Sequence, residues 1–197
     1  MRLEEKTAVP DEALPVTELA DHLRLGSGLE VEGLEAGQLR AYLRAAMAGI
    51  EGRIGKALIS RRFALRMAQW RSGDRQALPL APVSAVISVK VIEAGVPEVE
   101  VPSQRWYLEG DGHRPHLVAR GVSLPVVPRG AEAEVVFEAG FGAWAAVPAD
   151  LRQAVLLLAA QFHEYRHDPG LQAGALPFGI QALIERWRIV RVLGGGA

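Results

Sequence analysis

The sequence predicts an α+β protein: a helical bundle of about four helices with a small, mostly antiparallel β module inserted between helices 2 and 3. Three observations carry this. Apolar residues recur at three- and four-residue spacing before residue 58 and again after residue 147. Between those stretches the period drops to two, in runs rich in Val and Ile. Pro79, Pro82, Pro97, Pro102, Pro125 and Pro128 punctuate the middle region and exclude long helices from it. The expected organisation is therefore a helical domain formed by residues 1–58 and 147–197, with residues 59–146 as the inserted module.

The first dozen residues are polar and read as a mobile lead-in. Pro15 to Leu25 (PVTELADHLRL) reads as a short helix with Thr17 as N-cap, Glu18 and Asp21 in its first turn, and Val16, Leu19 and Leu23 on one side. A longer helix fits Glu35 to Ala57, where Leu39, Leu43, Ala46, Met47, Ile50 and Ile54 share a face. Gly49, Gly52 and Gly55 fall inside it, each costing about 1 kcal/mol against alanine, which suggests close packing by a neighbouring helix.

Phe63, Leu65 and Met67 then alternate with Ala64, Arg66 and Ala68, as in a strand with one buried face. A polar turn spans Arg71 to Gln76, and Val86 to Ile92 is the strongest strand pattern of the chain. Shorter strands are expected around Val99, at Trp106 to Leu108, at Leu117 to Ala119 and at Ala133 to Phe137. Pro148 opens the next helix, with Leu151, Ala154, Val155, Leu158, Phe162 and Tyr165 as its stripe. A last helix runs from about Pro177 to Val192.

Composition excludes several classes of function. The 197 residues carry a formal net charge of −1, without the basic excess that nonspecific DNA binding draws on. With no cysteine, disulfides, zinc ribbons and thiol catalysis are ruled out. The longest apolar run, Ala154 to Ala160, is too short to span a bilayer, and the N-terminus lacks a signal-peptide core, so the expected compartment is a bacterial-type cytoplasm without membrane contact. The lysines are Lys6, Lys56 and Lys90 alone, and arginine dominates the basic residues.

One catalytic-looking motif occurs. His163-Glu164-Tyr165-Arg166-His167 fits H-E-x-x-H, which on a helix suits zinc and a general base, with Glu185 as a conceivable third ligand. The alternative function is accordingly a zinc-dependent hydrolase. Against it, Asp168-Pro169-Gly170 ends the helix at once, and basic residues at a helix C-terminus are favoured by its dipole alone. No phosphate loop and no nucleophile elbow occurs. The reading is thus no catalytic residues, no metal ligands and no cofactor. His113 in GDGHRP and His116 directly after it read as turn residues, and Trp70, Trp106 and Trp144 read as packing residues. Trp187, flanked by arginines in the terminal helix, reads as a candidate partner contact.

The ordered landmarks resemble the head–tail connector (adaptor) proteins of long-tailed phages and phage-like gene transfer agents. They are PVTELADHLRL; AGIEGRIGKALI from Ala48; RFALRMAQW; LPLAPVSAVISVKVI; AGFGAWAAVPADLRQAVLLLAAQFHEYR from Ala139 to Arg166; and LPFGIQALIERWRIV. The resemblance covers Pro15 to about Val192, and the middle β module enlarges on the mostly helical small members. It implies a non-enzymatic structural subunit of a virion or phage-like particle neck, forming a homo-oligomeric ring, commonly a dodecamer. Its partners would be further copies of itself, the portal protein and a downstream tail or stopper protein, with DNA crossing the channel without specific binding. It also places the portal contact on the terminal segment, at Ile184, Trp187, Arg188, Val190 and Val192.

Overall fold

The computed structural model describes residues 1–25, 34–165 and 176–188. In chain order the elements are β1 (Arg2–Glu5), α1 (Val16–His22), α2 (Leu34–Ile54), β2 (Arg61–Met67), β3 (Arg75–Ala77), β4 (Val83–Ile92), β5 (Val99–Glu100), β6 (Trp106–Glu109), β7 (His116–Ala119), β8 (Glu132–Ala139), α3 (Ala149–Glu164) and α4 (Phe178–Ile184). They divide into two compact units, Met1–Val9 with Lys56–Ala143, and Pro10–Gly55 with Trp144–Ala197.

The first unit is built on a five-stranded antiparallel sheet of order β1-β2-β8-β4-β5 and a three-stranded sheet of order β3-β7-β6. Alternation decides which side chains enter its core. In β2 and β8, Phe63 lies opposite Phe137 and Leu65 opposite Val135, all four are buried, and the two rings stack at 5.9 Å. Ala64 is buried as well, so β2 is covered on both faces and not one. Arg66 and Glu134 form the adjacent cross-strand pair, Nε to Oε2 at 2.7 Å, which satisfies a carboxylate that is otherwise almost fully buried. Two register shifts in the β4–β8 ladder mark bulges near Val83 and Val86.

The turn before the second unit explains the glycines of AGFG. Gly140 has φ +134°, and a Cβ there would stand 2.5 Å from both Cα and N of Ser60. That close approach lets three backbone N–H groups donate across the junction: Gly140 to Pro82 O, Phe141 to Leu58 O and Ser60 to Gly142 O, at 2.9–3.0 Å. Only a residue without Cβ fits.

In the second unit α3 packs against α1, α2 and α4. Leu19, Leu39, Leu43, Ile50, Ile54, Leu151, Val155 and Leu158 are buried there with Ile180 and Ile184. Each such side chain contributes about 1.5–3 kcal/mol by leaving water.

Several expectations are corrected. The architecture is α+β, but not a simple four-helix bundle with a sheet inserted between helices 2 and 3. The β unit includes β1, which precedes α1, and a second sheet, while α1 and α4 have only seven residues each. The supposedly mobile first residues form β1 because β2 offers them a ladder, with Leu3 opposite Leu65 and Glu5 ion-paired to Arg61 at 3.1 Å. Pro15, not Thr17, holds the N-cap position of α1, and no side chain caps it. The helix α2 stops at Ile54, since Gly55 takes φ +64° and terminates it. Of the three glycines read as helix contacts, only Gly49 faces α3, its notional Cβ 3.7 Å from Leu158, while Gly52 meets open space. The polar turn at Arg71 to Gln76 contains the start of β3, whose Gln76 is buried and bonds Arg71 N and Ala77 O. The last α-helix ends at Ile184 and tightens into a 3₁₀ turn, Glu185–Trp187.

Candidate assembly surfaces

Three of the five residues that the resemblance assigns to partner binding, Ile184, Trp187 and Arg188, are among the described residues. Ile184 is 2% exposed and serves the core of its unit, anchoring the segment without reaching solvent itself. Trp187 is half-buried. Its indole N–H donates to Asp150 Oδ2 at 2.8 Å, Arg186 Nε reaches the same oxygen at 2.8 Å, and the Arg186 guanidinium lies 4.8 Å from the ring centroid. The other oxygen of Asp150 accepts the Leu151 N–H at 3.0 Å. The tryptophan is thereby tied to the first turn of α3 while part of its ring stays accessible. Arg188 is exposed, paired with Glu185 at 3.1 Å, and leaves the turn extended, at φ −68° and ψ 142°. Val190 and Val192 lie outside the described residues.

Two features went unmarked in the sequence reading. Phe178 is 86% exposed at the start of α4; its position is two and six residues from buried Ile180 and Ile184, which rotates it to the opposite face, so helical spacing could have found it. The outer face of α2 carries Gly37, Ala41, Ala45, Ala48 and Gly52, all exposed, at helical spacing. A Cβ at Gly37 or Gly52 would meet nothing within 4 Å. The apolar stripe of α2 drew attention to the opposite face.

The H-E-x-x-H motif is only partly within view. His163 packs edge-on to Tyr42, ring centroids 6.0 Å apart, Glu164 is exposed, and His167 lies outside the described residues. Among the described residues no group of three His, Asp or Glu side chains is placed to hold a metal ion. In the GDGHRP turn, Asp111 Oδ1 accepts the backbone N–H groups of His113 and Arg114, each at 2.6 Å, and these bonds hold its carboxyl below the usual aspartate range. The turn covers Lys56, which is 1% exposed and donates to the Gly112 carbonyl, with His113 Nδ1 3.4 Å away. Burial pushes the Lys56 ammonium pKa down, partly offset by Asp111. Nothing in the sequence signals this, because a lone lysine near the end of an expected helix reads as surface.

The exposed Phe178, the half-buried Trp187 and the Gly and Ala face of α2 are surfaces suited to packing against another chain. Comparison with solved structures agrees. The chain is 55% identical, at a TM-score of 0.89, to a chain from the neck of an empty gene transfer agent particle computed with C6 symmetry. It is 54% identical, TM-score 0.86, to one from the virion of the native particle, and 51% identical, TM-score 0.83, to one from the native neck computed with C12 symmetry. Each alignment covers 99% of both chains. No protein-family model matches the chain, and no curated protein does either. The class is therefore a structural component of a phage-like particle. More particularly, the chain belongs to the family of neck proteins of gene transfer agent particles.

Proposed function

We propose that the chain is a non-enzymatic head–tail connector (adaptor) subunit, forming a ring of copies, commonly twelve, between the portal and the tail. DNA crosses the channel of that ring without specific binding, and the tail-side neighbour is a downstream tail or stopper protein. The observation that carries the reading is the near-complete match, over 99% of both chains, to neck chains of particles computed with C6 and C12 symmetry. The outer face of α2 supports it: a stripe of Gly and Ala lets a helix of another copy approach closely with little side-chain entropy to lose.

The portal contact is carried by the terminal segment through Trp187, Arg188, Val190 and Val192, with Ile184 holding the segment in place. A half-exposed tryptophan locked by a hydrogen bond and flanked by arginines has the properties of an interface anchor. Mixing the purified chain with portal rings tests the whole reading. The expected result is a complex whose mass increases by a full ring of subunits and whose images share the portal axis. Absence of association at micromolar concentrations refutes it. Since a connector subunit can stay monomeric until docked, the free chain alone decides nothing.

A further inference from the structure

The five-stranded sheet ends in two edges, β1 and β5. Strands lie about 4.8 Å apart, so four spacings separate the two edges and they do not meet within one copy. Each edge carries exposed apolar side chains. Beside β5, Val96, Val99 and Val126 line a groove of about 260 Å³ together with Pro97 and Pro128, and Val99 and Val126 are 59% and 83% exposed. On β1 Leu3 is 39% exposed, and Met1 just before the strand is exposed too. Single exposed apolar residues are ordinary, but a contiguous apolar groove along an unpaired strand edge is a recognition surface.

The charges indicate what fills it. Glu98 and Glu100 flank Val99, Glu93 and Arg105 lie at the groove, and all four are exposed. The β1 edge has the sequence Met-Arg-Leu-Glu-Glu-Lys, so Leu3 stands between Arg2 and Glu4, with Lys6 beyond. Two β5 edges brought together would set glutamates against glutamates. Within one copy Arg2 and Lys6 lie 2.9 and 3.8 Å from Glu4, and Lys90 meets Glu98 at 2.8 Å; a β1 edge brought to β5 lets these exposed pairs exchange partners, with Arg2 and Lys6 meeting Glu98 and Glu100 and Glu4 released towards Arg105. A contact between unlike edges is also the kind that repeats head to tail and closes into a ring.

We propose that the β1 edge of one copy seats in the groove beside β5 of the next, with Met1 and Leu3 entering among Val96, Val99 and Val126. This rests on the ring reading above and deepens it by naming a lateral joint within the β unit.

The chain contains no cysteine, so Leu3→Cys and Val99→Cys can be introduced separately and assembled on portal rings. A flexible bis-maleimide then reports proximity without demanding one exact register. An equal mixture of the two single variants should give linked dimers, the double variant a ladder of higher oligomers, and each single variant alone no linked species. Intact rings that yield no link in the mixture overturn the proposal, as do dimers from Val99→Cys alone, which mean that the groove meets itself. As a second measurement, Val99→Glu should weaken ring assembly at least tenfold with an unchanged melting temperature, whereas Val122→Glu, exposed but outside the groove, should leave assembly intact; equal behaviour of the two overturns the proposal. Particle mass without the linker separates this from the parent reading. If the unmodified chain builds no ring on portal, the ring itself falls and the joint with it.

Discussion

Gly140→Ala is the substitution whose cost follows most directly from the local geometry. The residue sits at φ +134°, and the added methyl would overlap Cα and N of Ser60 at 2.5 Å and the carbonyl carbon of Ile59 at 2.7 Å. These are backbone atoms, so no side chain can swing aside. Forcing a non-glycine residue into this region costs about 1–3 kcal/mol. Separating the two segments adds the penalty of overpacking, about 1–3 kcal/mol, and strains the Phe141-to-Leu58 and Ser60-to-Gly142 hydrogen bonds. The total is about 2–6 kcal/mol, which lowers the melting temperature by roughly 5 °C or more for a chain of this size. Gly52→Ala is the internal control: it is exposed in the last turn of α2 with nothing within 4 Å of the new methyl, so it should gain up to about 0.5–1 kcal/mol. Thermal melts followed by circular dichroism, with amide exchange in β8, read both effects. If the two variants melt together, the close approach of Gly140 to Ser60 is wrong.

Ala45→Arg, on the exposed face of α2, should leave the melting temperature within the spread of ordinary surface changes, about 0.5 kcal/mol, yet abolish ring assembly on portal; rings of normal mass would remove α2 from the contact. Trp187→Ala should weaken portal binding by at least about tenfold, as for an interface anchor, in a titration by interferometry. Phe178→Ala, which removes no buried contact, should leave the melting temperature unchanged in a thermal melt followed by circular dichroism, and a large loss of stability would mean that its exposure is wrong. Lys56→Met tests the buried ammonium. Its folded-state pKa lies below the ordinary 10.5, so the unfolded chain binds more protons between those two values. The native protein should therefore gain stability relative to the variant as pH rises through that window and gain nothing further above it. Parallel stability curves from pH 7 to 10 would show that the lysine does not titrate as its burial requires.

The parts of this fold legible in sequence are those in which one face is buried and the period repeats. Leu39, Leu43, Ile50 and Ile54 on α2, and Phe63, Leu65 and Met67 on β2, all occupy the core that their spacing predicts. What stayed hidden depends on a partner segment distant in sequence. β1 has a single apolar residue among four, and only the ladder from β2 makes it a strand. Gly52 and Gly55 look alike in sequence but differ in the structure, one on an open helix face and one ending the helix at φ +64°. Lys56 is buried because a turn more than fifty residues later supplies its acceptor. For assembly, the sequence pointed to Trp187, whose chemistry is conspicuous. It did not point to Phe178 or to the Gly and Ala face of α2, since small residues and a lone aromatic carry no pattern until exposure is known.

Arginine content is the feature that could most easily mislead about how such a protein treats DNA. Nineteen of the 22 basic residues are arginine, three being lysine, and arginine is the usual phosphate ligand. In this chain many of them are already engaged by carboxylates: Arg44 with Asp11 at 2.6 Å, Arg61 with Glu5 at 3.1 Å, Arg66 with Glu134 at 2.7 Å, and Arg186 with Asp150 at 2.8 Å. A guanidinium paired with a carboxylate contributes less outward field than a free one, and a net charge of −1 leaves few counterions to release from a duplex. Arginine here does structural work in the units, tying strand to strand and turn to helix. On the proposed function, in which DNA crosses the ring, passage requires walls that do not grip, and arginines paired within the subunit fit that requirement.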